Sequence, residues 1–358
     1  MKMATIEDVA KRAGVSTMTV SRFINESGYV GEKTRARILE AINELNYRTN
    51  LIAKSLVTKR TKTLGLVIAS IVNPFYPDVV LGVEDESYAN GYNVILCNAG
   101  GKKKEEEYIQ VLLDKYVDGI IFDHLNIGIK QVMELKHSNV NCVLIDNEVE
   151  GLSAGNILTD NVLGGFLAVE HLIRLGHKKI AVIHGSLCFN ESKPDKKYEE
   201  TFQFNIWNKR TKGAIEAFEK YGVRVNPNFV LEGDGTSENG VKGGYMAMKR
   251  ILEFAERPTA IYAQNDLMAV GVINAVHEAG LKVPADFSVI GHDGIPLGEM
   301  IFPKLTTIGQ PRYEIGRAAA KMLIEMNEKN NSHINMVLKP RLVIRETTCE
   351  ITKEQAEH

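Results

Sequence analysis

Apolar positions in the first fifty residues recur every three or four places. Ile6, Val9, Ala10 and Ala13 form one stripe, and Val20, Phe23 and Ile24 a second. Ile38, Ile42 and Leu45, with Leu39 beside them, form a third. A 3.6-residue period predicts three short amphipathic helices. The residues between the stripes agree with that reading. Thr5 caps the first helix and Asp8, three residues on, completes a capping box. Gly14 supplies the turn, Val15 points back inward, and Ser16 caps the second helix. The third runs from Glu32 to Tyr47, with Asn46 suited to a left-handed cap. After it, Asn50 to Val57 has the length of one or two helical turns, too short to persist alone in water. Thr58 to Thr63 (TKRTKT) is polar, basic and coreless, so a domain boundary falls there.

From Leu64 the pattern changes. Short Val- and Ile-rich runs at Leu64–Ala69, Asn93–Cys97, Gly119–Phe122 and Cys142–Ile145 alternate with amphipathic stretches at Val79–Asn90, Glu105–Tyr116 and Ile129–His137. The rhythm then restarts. Helices are expected at Gly164–Leu175, Arg210–Tyr221, Glu238–Phe254 and Leu267–Ala279, and strands at Lys179–His184, Phe229–Glu232, Ala260–Ala263 and Ser288–Gly291. Strands alternating with helices predict a parallel sheet covered on both faces. The expected fold is therefore a small all-α helix-turn-helix head followed by an α/β core of two doubly wound parallel-sheet subdomains. Open α/β sheets bind ligands beyond the carboxyl ends of their strands, so two facing halves create one cleft.

Charge sharpens the division. Residues 1–62 hold 12 Lys/Arg against 6 Asp/Glu, and the remainder 31 against 39. A basic head on an acidic body suggests that only the head meets a polyanion. Thr17, Met18, Ser21, Arg22 and Asn25 lie on the outer face of the second helix, a set of hydroxyls, an amide and one guanidinium that suits a duplex groove. No apolar run approaches a membrane span and no signal-peptide core is present. Cys97, Cys142, Cys188 and Cys349 lie far apart without metal spacing. They read as reduced thiols of a cytoplasmic protein and are assigned no chemistry. GxGxxG, GxxxxGK[ST] and HExxH are all missing, so no cofactor, metal or catalytic role is expected. His184 and Cys188 lie close in sequence but lack an orienting partner.

The strand ends supply candidate ligand groups. Asn73-Pro74-Phe75-Tyr76, Asp146-Asn147, Asp160-Asn161, Asn265-Asp266, His292-Asp293 and Gln310 are the carboxylates, amides and aromatics that bond and stack on sugars or bases.

The run DVAKRAGVSTMTVSR, the segment ending LNYRTN and the hinge-like NLIAKSL resemble the DNA-binding head of the lactose/galactose repressor (LacI/GalR) family. Roughly residues 64–347, with NPFY, LGHKKIAVIHG, AIYAQNDLMAVG, VPADFSVIGHDG and PKLTTIGQP, resemble the family's effector domain, itself similar to periplasmic sugar-binding proteins. The sequence departs from the family at Asn46 and Thr49, where Gly and Pro are common, at Lys54, commonly Arg, and at Gly294, often a second Asp. The resemblance implies a head over 1–49, a hinge helix and linker over 50–63, an effector domain over 64–349 and a tail over 350–358. Within the effector domain, 64–160 plus 295–326 would form one subdomain and 161–294 plus 327–349 the other. It further implies that Phe75, Tyr76, Asp146, Asp160, Arg210, Asn265, Asp293 and Gln310 contact the effector, Arg210 being carried over from NKRTKG.

On this reading the protein is a transcriptional regulator, a repressor, whose affinity for double-stranded DNA is set by a small molecule, a sugar or sugar derivative. A homodimer would place two recognition helices on a palindromic operator. Arg22 suits a bidentate guanine contact, and Thr17 and Met18 neighbouring bases. Ser16, Ser21, Asn25 and Thr34 suit phosphates, and Leu56 is the apolar wedge that the resemblance places in the minor groove. A corepressor-type regulator answering to a purine, nucleoside or phosphoprotein is the alternative within the class. A stand-alone ligand-binding protein and an α/β enzyme are the readings outside it. One segment breaks the family pattern: 186–209, longer than the usual connection, carries the only tryptophan, Trp207, and is expected to form an effector-specific lid or a surface insertion.

Overall fold

The computed structural model describes residues 4–25, 27–47, 60–100, 102–123, 129–147, 152, 154–185, 206–233, 240–329 and 335–351. It divides into two compact units, Met1–Thr61 and Lys62–His358. The first holds α1 (Ile6–Ala13), α2 (Thr17–Ile24) and α3 (Glu32–Glu44). Thr5 and Asp8 form the anticipated capping box, with Thr5 N donating to Asp8 Oδ2 at 2.8 Å and Asp8 N to Thr5 Oγ1 at 3.3 Å. Gly14 takes the left-handed φ of 64° that ends α1. Val9, Ala10, Ala13, Val20, Ile38 and Ala41 form the small core, with Phe23, Ile24, Ile42 and Leu45 packed around it. Helix α3 stops at Glu44, short of Tyr47, because Asn46 adopts φ 46° and Tyr47 N turns back to Ile42 O at 2.9 Å, the closing bond of a Schellman-type end. The hinge, Leu56 included, lies outside the described residues.

The second unit is built on two six-stranded sheets. In chain order its elements are β1 (Thr63–Ile68), α4 (Tyr76–Ala89), β2 (Asn93–Asn98), α5 (Lys102–Asp114), β3 (Gly119–Asp123), α6 (Ile129–Ser138), β4 (Asn141–Ile145), β5 (Gly155–Thr159), α7 (Asn161–Arg174) and β6 (Ile180–His184). There follow α8 (Ile206–Lys220), β7 (Val230–Glu232), α9 (Gly240–Leu252), β8 (Ala260–Ala263), α10 (Asp266–Glu278), β9 (Ser288–Asp293), α11 (Leu297–Met300), β10 (Thr306–Gly309), α12 (Arg312–Lys329), β11 (Asn335–Leu338) and β12 (Arg341–Val343). The strand orders are β11-β5-β4-β3-β1-β2 and β12-β10-β9-β8-β6-β7. Every pairing is parallel except β12 on β10.

Alternation along the strands feeds two cores per sheet. Leu64, Leu66, Ile68 and Ile121 join Val79, Ile315, Ala319 and Leu323 of α4 and α12. Val67, Ile120 and Phe122 face Ile109, Leu112 and Leu135 of α5 and α6. In the second sheet Ile261 and Ala263 meet Ala247, Met248, Met268 and Val272 of α9 and α10, whereas Ala260 and Tyr262 meet Ala168, Val169, Ala214 and Phe218 of α7 and α8. Both sheets are covered on both faces, as parallel sheets require.

The partition of the chain between the lobes differs from the expected one. Strand Thr306–Gly309 belongs to the second sheet, although 295–326 was expected in the first half; Asn335–Leu338 belongs to the first sheet, although 327–349 was expected in the second. The chain passes between sheets at Asp160, at Gln310-Pro311 and at Lys339-Pro340. Strands β5, β11 and β12 and helices α11 and α12 were not anticipated. Strand β5 is a Gly- and Asn-bearing run whose partner β11 lies far along the chain, so its pairing has no local signal.

The segment expected as a lid over 186–209 also needs correction at its end. Ile206–Lys209 is the first turn of α8, and Trp207 packs half-buried against the core of the second sheet. Residues 186–205 lie outside the described residues.

Candidate functional site

In the first unit, Ser16 is the N-cap of α2. Its oxygen accepts from Thr19 N at 3.2 Å and stands 2.9 Å from the Thr19 hydroxyl. Thr17, Met18, Arg22 and Asn25 are exposed along one face, Met18 at 64%, because Val20 is buried on the opposite side. Ser21 is half-buried and accepts from Asn25 Nδ2 at 3.2 Å. Thr34 is half-buried in the first turn of α3. Arg12 pairs with Glu44 at 2.6 Å, and the Arg35 guanidinium lies 5.5 Å over the Phe23 ring, so α3 steadies both other helices. Tyr29, an aromatic in the polar run ESGYVGE, is 95% exposed in the loop after α2.

In the second unit, strand ends bring most of the expected cleft residues together. Helix α8 delivers Arg210, and two glycines set its position. A Cβ on Gly165 would fall 1.9 Å from Arg210 O and one on Gly213 1.8 Å from Val162 O, so α7 and α8 touch backbone to backbone. Each nitrogen of the buried guanidinium then has a partner. Nε donates to Asn161 Oδ1 at 2.9 Å, one terminal nitrogen donates to the Gln264 carbonyl, and the other donates to Asp293 Oδ1 at 3.0 Å. The same Asp293 oxygen accepts from Gln310 Nε2 at 2.8 Å. Burial pushes the Asp293 carboxyl up from its usual range, against the opposing pull of Arg210. Gln310 Oε1 is buried with no hydrogen-bond partner among the described residues. Trp207 lies beneath Arg210, 5.4 Å from ring centroid to guanidinium carbon.

On the first lobe, Asn73 Oδ1 accepts from Phe75 N at 3.0 Å and starts the turn into α4. Phe75 and Tyr76 are buried and meet edge to face, 5.5 Å between ring centroids. Burial, then Asp123, which also bonds the hydroxyl, raises the Tyr76 pKa well above the usual phenol; Asp293 and Asp146 add to it. Tyr76 is therefore a neutral donor at any physiological pH. Asp146 sits at φ 47° and accepts from Thr159 N at 2.5 Å. Asp160 caps α7 through Leu163 N at 2.9 Å, and Asn265 caps α10 through Met268 N at 2.7 Å. Each of these three has one polar atom committed to the backbone.

Three participants escaped the sequence reading. Asp123 ends the apolar run GIIFD, and the strand-end rule applied to that run would have found it. Asp78 and Arg312 carry no motif. Arg312 donates to Asp78 Oδ2 through Nε at 3.0 Å and Nη2 at 2.6 Å, and through Nη1 to the carbonyl of Asp293 at 2.8 Å and to that of Gly294. Beneath the site, fully buried Asp266 accepts from Thr307 Oγ1 at 2.5 Å and Ile295 N at 2.7 Å, and burial raises its pKa to about 8. Tyr262 Oη lies 2.8 Å from His292 Nδ1, and burial holds that imidazole neutral. No helix among the described residues is long and apolar enough to cross a membrane.

Residues 5–50 match the family model described as bacterial regulatory proteins, lacI family, and residues 169–348 match the periplasmic binding protein-like domain. An HTH-type transcriptional repressor PurR of Vibrio vulnificus is 35% identical over 353 residues, covering 98% of this chain and all of that one. The lac repressor dimer bound to operator and the anti-inducer ONPF is 27% identical with a TM-score of 0.80, over 97% of this chain and 100% of that chain. The transcriptional regulator CelR–cellobiose complex is 28% identical with a TM-score of 0.68, over 96% and 99%.

Proposed function

The chain belongs to the lacI family of bacterial regulatory proteins and is a DNA-binding transcriptional repressor, and from that premise we propose that a sugar or sugar derivative bound between its two sheets controls its hold on a palindromic operator. The observation that carries the effector reading is the Arg210–Asp293–Gln310 cluster beside Phe75 and Tyr76, where the buried acceptor Gln310 Oε1 has no donor among the described residues. A hydroxyl supplies that donor. Phe75 and Tyr76 offer apolar faces, and Asp146, Asp160 and Asn265 stand at strand ends for further hydroxyls. The similar CelR structure holds cellobiose.

In the head, Arg22 reads a guanine, Thr17 and Met18 read its neighbours, and Ser16, Ser21, Asn25 and Thr34 hold phosphates. Leu56 would wedge the minor groove. Two copies act together. Exposed Ile71 and Val72 before α4, Leu81 and Tyr88 on it, Met300 at the end of α11 and Phe302 after it offer apolar surface for a homodimer, and the similar lac repressor is a dimer on its operator. The effector acts by binding one lobe arrangement better than the other.

A purine or nucleoside corepressor is the second reading, favoured by whole-length similarity to repressors named PurR. One experiment tests both. Duplexes selected from random DNA are bound by the purified protein, and a panel of sugars, nucleosides and nucleobases is titrated against that binding. A palindromic preference that a sugar shifts supports the first reading; a shift by nucleobases alone replaces it with the second. No palindromic preference under any ligand overturns both.

A further inference from the structure

Arg312 opens α12, a helix of the first lobe, yet its guanidinium grips the end of β9 in the second. Helices α4 and α12 are in backbone contact: a Cβ on Gly82 would fall 2.1 Å from Tyr313 O, and one on Gly316 2.0 Å from Val79 O. Asp78 and Arg312 are thus carried on one rigid helix pair. Two of the Arg312 nitrogens bond Asp78 Oδ2, and the third bonds the Asp293 and Gly294 carbonyls. Those two residues take consecutive positive φ values, 107° and 69°. For Gly294 this conformation is ordinary, whereas for Asp293 it is strained and persists only where neighbours impose it. Both carbonyls accept from the one Arg312 nitrogen. The Arg312 side chain is 11% exposed and that of Asp78 38%.

We infer that Arg312 is a positioning residue, a strut between the lobes that holds the Asp293 backbone in its strained conformation and so aims the Asp293 carboxylate into the cleft. Asp78 sets the strut. With the carboxylate in place, the guanidinium is fixed against the carbonyls; without it, a single donor group on a four-bond stem must find both alone. The consequence reaches Arg210 and Gln310, since both bond the carboxylate that Arg312 aims. The inference rests on reading the cleft as the effector site, but its test uses no effector.

The full-length protein and its Asp78→Asn, Arg312→Gln and Arg312→Lys variants are compared by amide hydrogen exchange across the peptide holding Gly294 to Leu297. Losing one charge-assisted contact should speed local exchange about tenfold. The global urea midpoint should stay close to wild type. Asp78→Asn and Arg312→Gln combined should be no faster than Arg312→Gln alone, and Arg312→Lys should fall between. Trp207 emission, which reports on Arg210, should shift in Asp78→Asn and Arg312→Gln alike. Unchanged exchange and emission in Asp78→Asn, or effects of the two substitutions that add, would overturn the strut. Because no ligand is present, a null result in the sugar and nucleobase panel leaves this outcome independent.

Discussion

The exposed face of α2 and the floor of the cleft use similar residue types in opposite ways. On α2, Thr17, Met18 and Arg22 point into solvent from a helix held by its own core, and each can be changed with little effect on the others. In the cleft, Arg210, Asp293, Gln310 and Asn161 are buried and bonded to one another. A surface proposed to match an external lattice of bases benefits from independent readers. A site proposed to change shape on occupancy benefits from groups that move as one. Substitutions in the first should therefore add, and those in the second should not.

The largest test of that contrast lies in the cleft. Arg210→Ala leaves Asp293 and the Gln264 carbonyl without their partner and should cost about 3–5 kcal/mol in urea unfolding. Asp293→Ala should abolish the ligand response while operator binding in the DNA-competent state survives; a retained response would remove Asp293 from the site. The double variant should cost far less than the sum, and additivity would contradict a network.

Next in size is a dependence on pH. The Asp266 pKa is raised to about 8 in the folded protein. Between the usual carboxyl pKa and 8 the folded state holds a proton that the unfolded chain has released. Stability is then greatest below the unfolded value and is lost as pH rises toward 8, with a slope of up to roughly 1.4 kcal/mol per unit. Asp293 is shifted the same way by burial. Urea midpoints from pH 5 to 8 should fall in the wild type and fall less in Asp266→Asn; equal slopes would mean that Asp266 is ionised when folded.

On the reading face, Arg22→Ala should flatten preference at one base pair of each half-site, losing about 1–3 kcal/mol of discrimination. Uniform weakening across all sequences would contradict its proposed role. Smallest, Ser16→Ala removes the cap of α2 and should lower head stability by about 1 kcal/mol. It should change affinity alike for every operator variant, measured by anisotropy across a set of single-base changes.

Much of this was legible beforehand because it is local. The Thr5–Asp8 box, the Gly14 turn and the Ser16 cap follow from three- and four-residue spacings, and all three stand as expected. Strands such as Ala260–Ala263 are uninterrupted apolar runs that only a doubly covered sheet would bury. Helix α12 was legible but overlooked, since Ile315, Ala319 and Leu323 recur at helical spacing and are buried on one face. Trp207 was read as part of a long connection between a strand and a helix, whereas its place is decided by packing against the second sheet's core.

By itself, the sequence determined the three-helix head, the alternating strands and helices, and the polar groups at the strand ends, since each depends on side-chain chemistry within a few residues. Only the tertiary structure decided that β10 returns to the second sheet and β11 to the first. It alone joined Asp78 to Arg312, 234 positions apart, and closed Arg210 on three partners from three other segments. These are long-range pairings whose geometry depends on how two sheets and their helices stack, and no spacing along the chain encodes a distance across it.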